Sequence, residues 1–173
     1  MDEIGIDAGG LFKELMTKLT DVIFDPQFTL FNETEIGRCQ YPNTLSAYED
    51  PENYRAYYQF VGMIVGKAMY EGILLKCRLA RFFLNKLVSK SNQVDDLKAI
   101  DQQLYDNLMQ VKYYEDSPVE DLGLTMCVTQ DTFGLAQDFE LVPNGANVTV
   151  TNENRLMYVI LYANWQLSGR IKE

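Results

Sequence analysis

Residues 57–75, Tyr-Tyr-Gln-Phe-Val-Gly-Met-Ile-Val-Gly-Lys-Ala-Met-Tyr-Glu-Gly-Ile-Leu-Leu, constrain the fold most. Phe60, Val61, Ile64, Val65, Ala68 and Met69 recur at helical spacing and make a wide apolar face. A stretch this long and apolar has the length of a bilayer span. Gln59, Lys67, Glu71 and three glycines argue instead for a buried helix of a water-soluble fold. Gly62 and Gly66 lie one turn apart. Each costs about 1 kcal/mol against alanine inside a helix, so their presence predicts that another backbone packs closely there. Lys67 and Glu71 form an i,i+4 pair.

A helix buried in this way needs partners, and 173 residues supply them: one domain, or two subdomains, with 47% hydrophobic and 12% aromatic residues. The formal net charge is −10. An acidic surface repels phosphate, so neither nucleic acid nor an anionic membrane is an expected partner. The chain contains no histidine. That removes the commonest general base, the Ser-His-Asp triad and histidine metal ligation together. Cys39, Cys77 and Cys127 are far apart, odd in number and form no CxxC motif. They read as reduced thiols of an intracellular protein, cytoplasmic or nuclear, and neither a zinc site nor a disulfide framework is expected. No cofactor is expected either. An acidic N-terminus that leads straight into an amphipathic segment does not read as a signal peptide.

Along the chain, Leu11, Phe12, Leu15, Met16, Leu19, Val22 and Ile23 predict a helix over 10–24, with Asp7 near its positive end and Asp25-Pro26 closing it. Residues 28–31 read as a short strand that pairs with 39–41. Pro51 marks the first turn of the central helix. Leu79, Phe82, Phe83, Leu84, Leu87 and Val88 predict a further helix. The polar run 89–93 is the best internal boundary. Beyond it come a short helix near Asp95-Asp96 carrying Leu97, and another N-capped by Asp101 and carrying Leu104, Leu108 and Val111. The period then changes to that of strands, at 124–129, 139–142 and 148–150, separated by turns at 131–134 and 143–145. Thr151 is the expected N-cap of a last helix bearing Leu156, Tyr158, Val159, Leu161, Tyr162, Trp165 and Leu167.

Little here has the spacing of a catalytic site. Asp95/Asp96 and Glu120/Asp121 are adjacent pairs, which diverge on a helix and read as caps. Gly5, Gly9 and Gly10 lack the strand–GxxxxGK[ST]–helix setting of a phosphate loop. A cysteine with no histidine has no evident activator. The more informative feature is apolar: Leu104 and Leu108 one turn apart, Tyr113 and Tyr114 after them, then Leu122, then Tyr158. Spacing alone reads these as core, since most periodic leucines are buried.

Several stretches resemble the N-terminal lobe of the HECT domain of ubiquitin–protein ligases. They include Gly5-Ile6-Asp7-Ala8-Gly9-Gly10-Leu11-Phe12, Phe24-Asp25-Pro26, Leu30-Phe31, Tyr41-Pro42-Asn43, Phe60-Val61-Gly62 and Gly66-Lys67-Ala68. Tyr70-Glu71-Gly72-Ile73-Leu74-Leu75, Phe82-Phe83-Leu84, Asp95-Asp96-Leu97, Leu104-Tyr105, Val119-Glu120-Asp121-Leu122 and Thr151-Asn152-Glu153-Asn154-Arg155 continue the match in order and at similar spacing. The resemblance implies a mainly helical α+β fold: a large helical subdomain over 1–93, a small α/β subdomain with a β-hairpin over 94–165, and a helix returning to the large subdomain over 166–173.

It also implies a function. In this family a ubiquitin-conjugating enzyme charged with ubiquitin docks on the small subdomain. Ubiquitin then moves to a cysteine of a C-terminal lobe and on to a substrate lysine. The groove is apolar and receives an aromatic loop residue of the conjugating enzyme. By motif alignment its positions fall on Leu104, Asn107, Leu108, Tyr114, Leu122 and Tyr158, which turns the core reading of these residues into a docking one. The matched stretch contains no C-lobe, and none of the three cysteines corresponds to the family's nucleophile. The chain alone is therefore expected to bind the conjugating enzyme without carrying the ubiquitin thioester, as part of a ligase or as a module that sequesters conjugating enzymes. Protein substrates would be held by regions outside it. Pro118 is a small insertion before Val119, and Asn164-Trp165 stands where the family usually has Asp-Tyr. Some members also bind ubiquitin non-covalently near the position of Phe28.

Overall fold

Asp25-Pro26 stops the first helix where its sequence says it must: α1 spans Gly10–Ile23, entered through Gly9 in the left-handed region (φ +82°). The computed structural model describes residues 9–132 and 134–168, so Asp7 and Phe133 lie outside the described residues. The chain divides into two compact units, one through Ala80 and the other from Arg81. The polar run 89–93 therefore lies inside the second unit.

In the first unit, Asp25 Oδ1 accepts from Gln27 N at 2.8 Å and caps a 3₁₀ turn over Pro26–Phe28. Thr29 then adopts φ +56°, which breaks the strand expected over 28–31. The strand forms three residues later, as β1 Phe31–Glu33 pairing antiparallel with β2 Gln40–Pro42; Asn32 opposes Tyr41 and Glu33 opposes Gln40. After the one-turn α2 (Ser46–Glu49), α3 runs from Tyr54 to Tyr70. Its cap is Asn53, so Pro51 precedes the helix and is not in its first turn. Gly72 at φ +66° turns the chain away from α3. Residues 78–80 then strap onto β2: Gln40 N donates to Arg78 O at 2.6 Å and Ala80 N to Gln40 O at 2.8 Å.

The core of this unit is Ile23, Phe24, Leu30, Phe31 and Val61, with Tyr58, Ile64, Val65, Cys77 and Leu79 packed on it. Phe24 and Phe31 pack at 4.7 Å between centroids with their rings tilted at 50°, and Phe31 meets Tyr58 edge-on at 5.8 Å. The Tyr58 hydroxyl donates to Leu30 O at 2.6 Å and lies 3.1 Å from Ser46 Oγ.

Two expectations about α3 are corrected. Only Val61 and Ala68 of its apolar face are buried, while Phe60, Met63 and Met69 are exposed, Met69 by 76%. The helix is thus amphipathic and not wholly enclosed. A Cβ placed on Gly62 or Gly66 would meet nothing within 4 Å among the described residues, so the glycines do not mark a close backbone approach. An apolar cleft of about 480 Å³ opens between α1 and α3, walled by Leu15, Leu19, Val22, Phe28, Tyr57 and Phe60.

The second unit holds α4 (Arg81–Leu87), a 3₁₀ helix over Val94–Ala99, α5 (Gln102–Lys112), a 3₁₀ turn over Val119–Leu122, the hairpin β3 (Cys127–Thr132) and β4 (Leu135–Glu140), and α6 (Arg155–Ser168). In the hairpin Cys127 opposes Glu140 and Thr132 opposes Leu135. Most of β4 was not expected, because its residues face solvent and lack the alternation that marks a half-buried strand. Conversely, 148–150 forms no strand: Thr149 makes a single bridge to Thr125. Phe82, Leu97, Leu108, Val119, Met126, Val128, Val150, Tyr158, Val159, Ala163 and Leu167 are buried. The mainly helical α+β class with small antiparallel sheets is as expected. No described helix is long and apolar enough to cross a membrane.

Candidate functional site

The apolar residues singled out in the second unit lie on α5, on the loop after it, and on α6. Asp101 fixes the start of α5 by accepting from Leu104 N at 2.8 Å. That sets the phase of the helix: Leu108 turns inward, Leu104 is half-buried one turn earlier, and Asn107 faces solvent. α5 packs against α6, and the 3₁₀ helix carrying the fully buried Leu97 packs on both.

The loop between α5 and β3 is held at both ends. At its start, Arg155 Nη1 on the first turn of α6 donates to Tyr114 O at 2.6 Å, and the Tyr114 hydroxyl lies 3.2 Å from Ser117 Oγ. Further on, the 3₁₀ turn buries Val119 and leaves Leu122 38% exposed, and Gly123 at φ +64° ends it. Next, Val150 N donates to Leu124 O and Met126 N to Val148 O, both at 2.8 Å. The paired segment 148–150 runs directly into α6. Thr151 Oγ1 accepts from Glu153 N and Asn154 N, while Thr151 N donates to Asn154 Oδ1 at 2.8 Å. The expected cap is thus present, one turn ahead of the regular helix.

Of the six residues, Leu122 and Asn107 are exposed and Leu104 and Tyr114 are half-buried. Leu108 and Tyr158 are 2% and 5% exposed. Leu108 and Tyr158 therefore belong to the packed interior of the second unit, and truncating either would disturb the fold. Tyr158 meets Tyr162 edge-on at 5.8 Å, Tyr162 meets Trp165 edge-on at 6.2 Å, and Phe139 of β4 packs on Trp165 at 5.2 Å with the rings tilted at 45°. The helical spacing of Tyr158, Tyr162 and Trp165 was visible in the sequence. The contribution of Phe139 from a strand was not.

The loop between α5 and β3 is acidic. Glu115, Asp116, Glu120 and Asp121 are all exposed, with no basic residue from Tyr113 to Met126. Lys98 lies 2.7 Å from Asp95 Oδ1 and 4.3 Å over the Tyr105 ring, and the Tyr105 hydroxyl donates to the same oxygen at 3.0 Å. Those bonds, Lys98 first, hold the Asp95 carboxyl below its ordinary range. Burial pushes the Tyr158 phenol up to about 12, with Tyr162 and Cys127 adding to it. Among the described residues no group of three histidine, cysteine or carboxylate side chains could hold a metal ion. The arrangement is a row of aromatic rings, Tyr158, Tyr162 and Trp165 on α6 with Phe139 of β4, on a helix that packs against α5.

Residues 16–173 match a family model described as HECT-domain (ubiquitin-transferase). The chain is 40% identical over 169 residues to a probable E3 ubiquitin protein ligase of Schizosaccharomyces pombe, covering 98% of this chain and 16% of the relative. It is 38% identical over 177 residues to ubiquitin-protein ligase E3B of Homo sapiens, with 99% and 16% covered. To the E3 ubiquitin-protein ligase UPL6 of Arabidopsis thaliana it is 38% identical over 173 residues, with 100% and 16% covered. The chain thus spans about a sixth of the length of these relatives.

Proposed function

The chain belongs to the HECT-domain (ubiquitin-transferase) family, and we propose that it is the part of a ubiquitin–protein ligase that docks a ubiquitin-conjugating enzyme. The surface carrying Leu104, Asn107, Tyr114 and Leu122, with Leu108 and Tyr158 beneath it, receives the aromatic loop residue of that enzyme. Residues 94–165 act as the docking subdomain. What supports the assignment is the tether between Arg155 and Tyr114. It brings the loop that bears Leu122 to the helix that bears Tyr158, beside the helix that bears Leu104 and Leu108. An apolar surface assembled from three elements and held rigid before binding is what an anchor residue needs.

The contribution to the reaction is positional: the docked enzyme's thioester is held within reach of a nucleophile outside this chain. None of Cys39, Cys77 and Cys127 corresponds to that nucleophile, so the chain alone transfers no ubiquitin, and substrates bind elsewhere in the parent protein.

Titration of a panel of conjugating enzymes against the 173-residue chain tests the docking surface. Leu122→Ala is the clean probe, because its side chain is partly exposed; it is expected to weaken binding by about 1–3 kcal/mol. If no enzyme in the panel binds the unaltered chain, the docking assignment is wrong. Binding combined with an absence of any transferase partner lobe in the parent gene would instead point to a sequestering module.

A second surface has its own support. The open cleft between α1 and α3 carries Phe28 in its wall, near where family members bind ubiquitin non-covalently. Phe28→Ala is expected to reduce any binding of free ubiquitin, and unchanged binding would remove the cleft from consideration.

A further inference from the structure

The β3–β4 hairpin is a two-stranded sheet. Among the described residues, no main-chain group of β4 (Leu135–Glu140) bonds to anything but β3. Every second residue of β4 therefore turns its N–H and C=O away from β3, along a strand with no proline and no lysine to blunt it.

The side chains select what adds to this edge. Phe139 packs on Trp165, so alternation turns Asp138 and Glu140 to the opposite face. Asp131 opposes Ala136 across the ladder and joins them on that face. All three carboxylates are exposed, and each is placed by a local hydrogen bond. Asp131 Oδ1 accepts from Gly134 N at 2.7 Å, Asp138 Oδ1 from Thr129 Oγ1 at 2.6 Å, and Glu140 Oε2 from Asn144 N at 3.1 Å. Among the described residues none of them makes an ion pair. The sequence holds no lysine or arginine from Tyr113 to Asn154. Asp138 and Glu140 lie about 7 Å apart along the strand, so the face carries like charge with nothing to offset it. A second copy of β4 laid along the edge would bring the same carboxylates together and be repelled. A strand with lysine or arginine at alternate positions sets cations beside them.

We propose that the free edge of β4 is a strand-addition site for an extended, basic segment of a partner protein. The segment joins the hairpin as a third strand, with its lysines or arginines on the face of Asp131, Asp138 and Glu140. Main-chain bonds along the edge supply affinity, and the alternating charges supply register and selectivity. The site uses none of the residues of the docking surface and does not depend on it.

The probe is a short synthetic peptide of alternating lysine and threonine, titrated against the 173-residue chain. It is expected to bind, with an affinity that falls as salt rises, and to slow hydrogen exchange at amides of β4. N-methylation of the peptide main chain keeps every charge and removes the N–H donors, and it is expected to weaken binding at least about tenfold. The triple variant Asp131→Asn, Asp138→Asn, Glu140→Gln keeps the local acceptors. It is expected to lose about threefold or more in affinity and most of the salt dependence. Equal binding of the N-methylated peptide would reduce the effect to adsorption on an acidic surface and overturn the proposal. Unchanged exchange in β4 would overturn it too. So would dimers of the chain that the peptide dissociates, because the occupant of the edge would then be a second copy.

Discussion

Arg155 donates from Nη1 to the carbonyl oxygen of Tyr114 at 2.6 Å, across 41 residues of chain. The bond is partly shielded from solvent, and its donor carries charge, which makes it stronger than a neutral pair. It joins the first turn of α6 to the end of α5 and so fixes one end of the loop that presents Leu122. Arg155→Ala is expected to cost about 1.5–3 kcal/mol in urea unfolding. Hydrogen exchange should quicken at the amides of 115–122 and stay unchanged in the β3–β4 hairpin. Arg155→Lys retains a donor without the planar fork and should recover part of the loss. Unchanged exchange in the loop of the alanine variant would mean the tether does not order it.

Leu108 and Asn107 are neighbours on α5 with opposite fates. Leu108→Ala empties a site that is 2% exposed and is expected to cost about 2–5 kcal/mol. Asn107→Ala, on the solvent side, should stay within about 0.5 kcal/mol. Thermal or urea melts of the two variants decide it. A Leu108→Ala protein as stable as the parent would place that side chain at the surface after all. Loss of partner binding on truncating Leu108 reports the fold as much as the contact, so Leu122 is the better probe.

These two residues also mark where sequence reading stops. The Asp101 cap, the end of α1 at Asp25-Pro26 and the phase of α5 were legible because each is decided within a turn of chain. Which of Leu104, Leu108 and Leu122 reaches solvent was not. Burial depends on α6 and on a loop anchored 41 residues away, while helical spacing names a face without saying what covers it. β4 was missed for a related reason: exposed on most of its length, it owes its form to pairing with β3. Gly62 and Gly66 were misread because a helical glycine looks the same in sequence whether it meets a neighbour or open space.

Alkaline stability reports the buried phenols. Burial raises Tyr158 to about 12 and also raises Tyr58. In the unfolded chain both ionise near the ordinary value of about 10. The neutral forms are therefore favoured by folding. The stability they confer is fully present below about pH 10 and is lost as pH rises above it, for Tyr158 through about 12. Tyr158→Phe has no proton to lose at that site, so its alkaline unfolding midpoint should move upward relative to the parent, with the Tyr58 contribution remaining. Urea melts of both proteins across this range measure the difference. Parallel curves would mean Tyr158 ionises freely in the folded state.

Gly145 and Gly62 predict opposite signs for the same substitution. Gly145 opens the 3₁₀ turn over Gly145–Asn147, and a Cβ there would sit 2.2 Å from Met126 O and 3.1 Å from its carbonyl carbon. Met126 has nowhere to retreat. Its oxygen accepts from Leu141 N at 2.9 Å, its nitrogen donates to Val148 O at 2.8 Å, and its side chain is fully buried. Gly145→Ala must therefore move backbone that is pinned on two sides, and a loss of at least about 1–3 kcal/mol is expected. Gly62 lies within α3 with open space where its Cβ would go. Gly62→Ala removes unfolded-state freedom at no steric cost and should gain up to about 1 kcal/mol. Paired urea melts decide both. A destabilised Gly62→Ala would show that something packs on α3 at that turn, and a tolerated Gly145→Ala would show that the segment joining β4 to α6 is free to shift away from Met126.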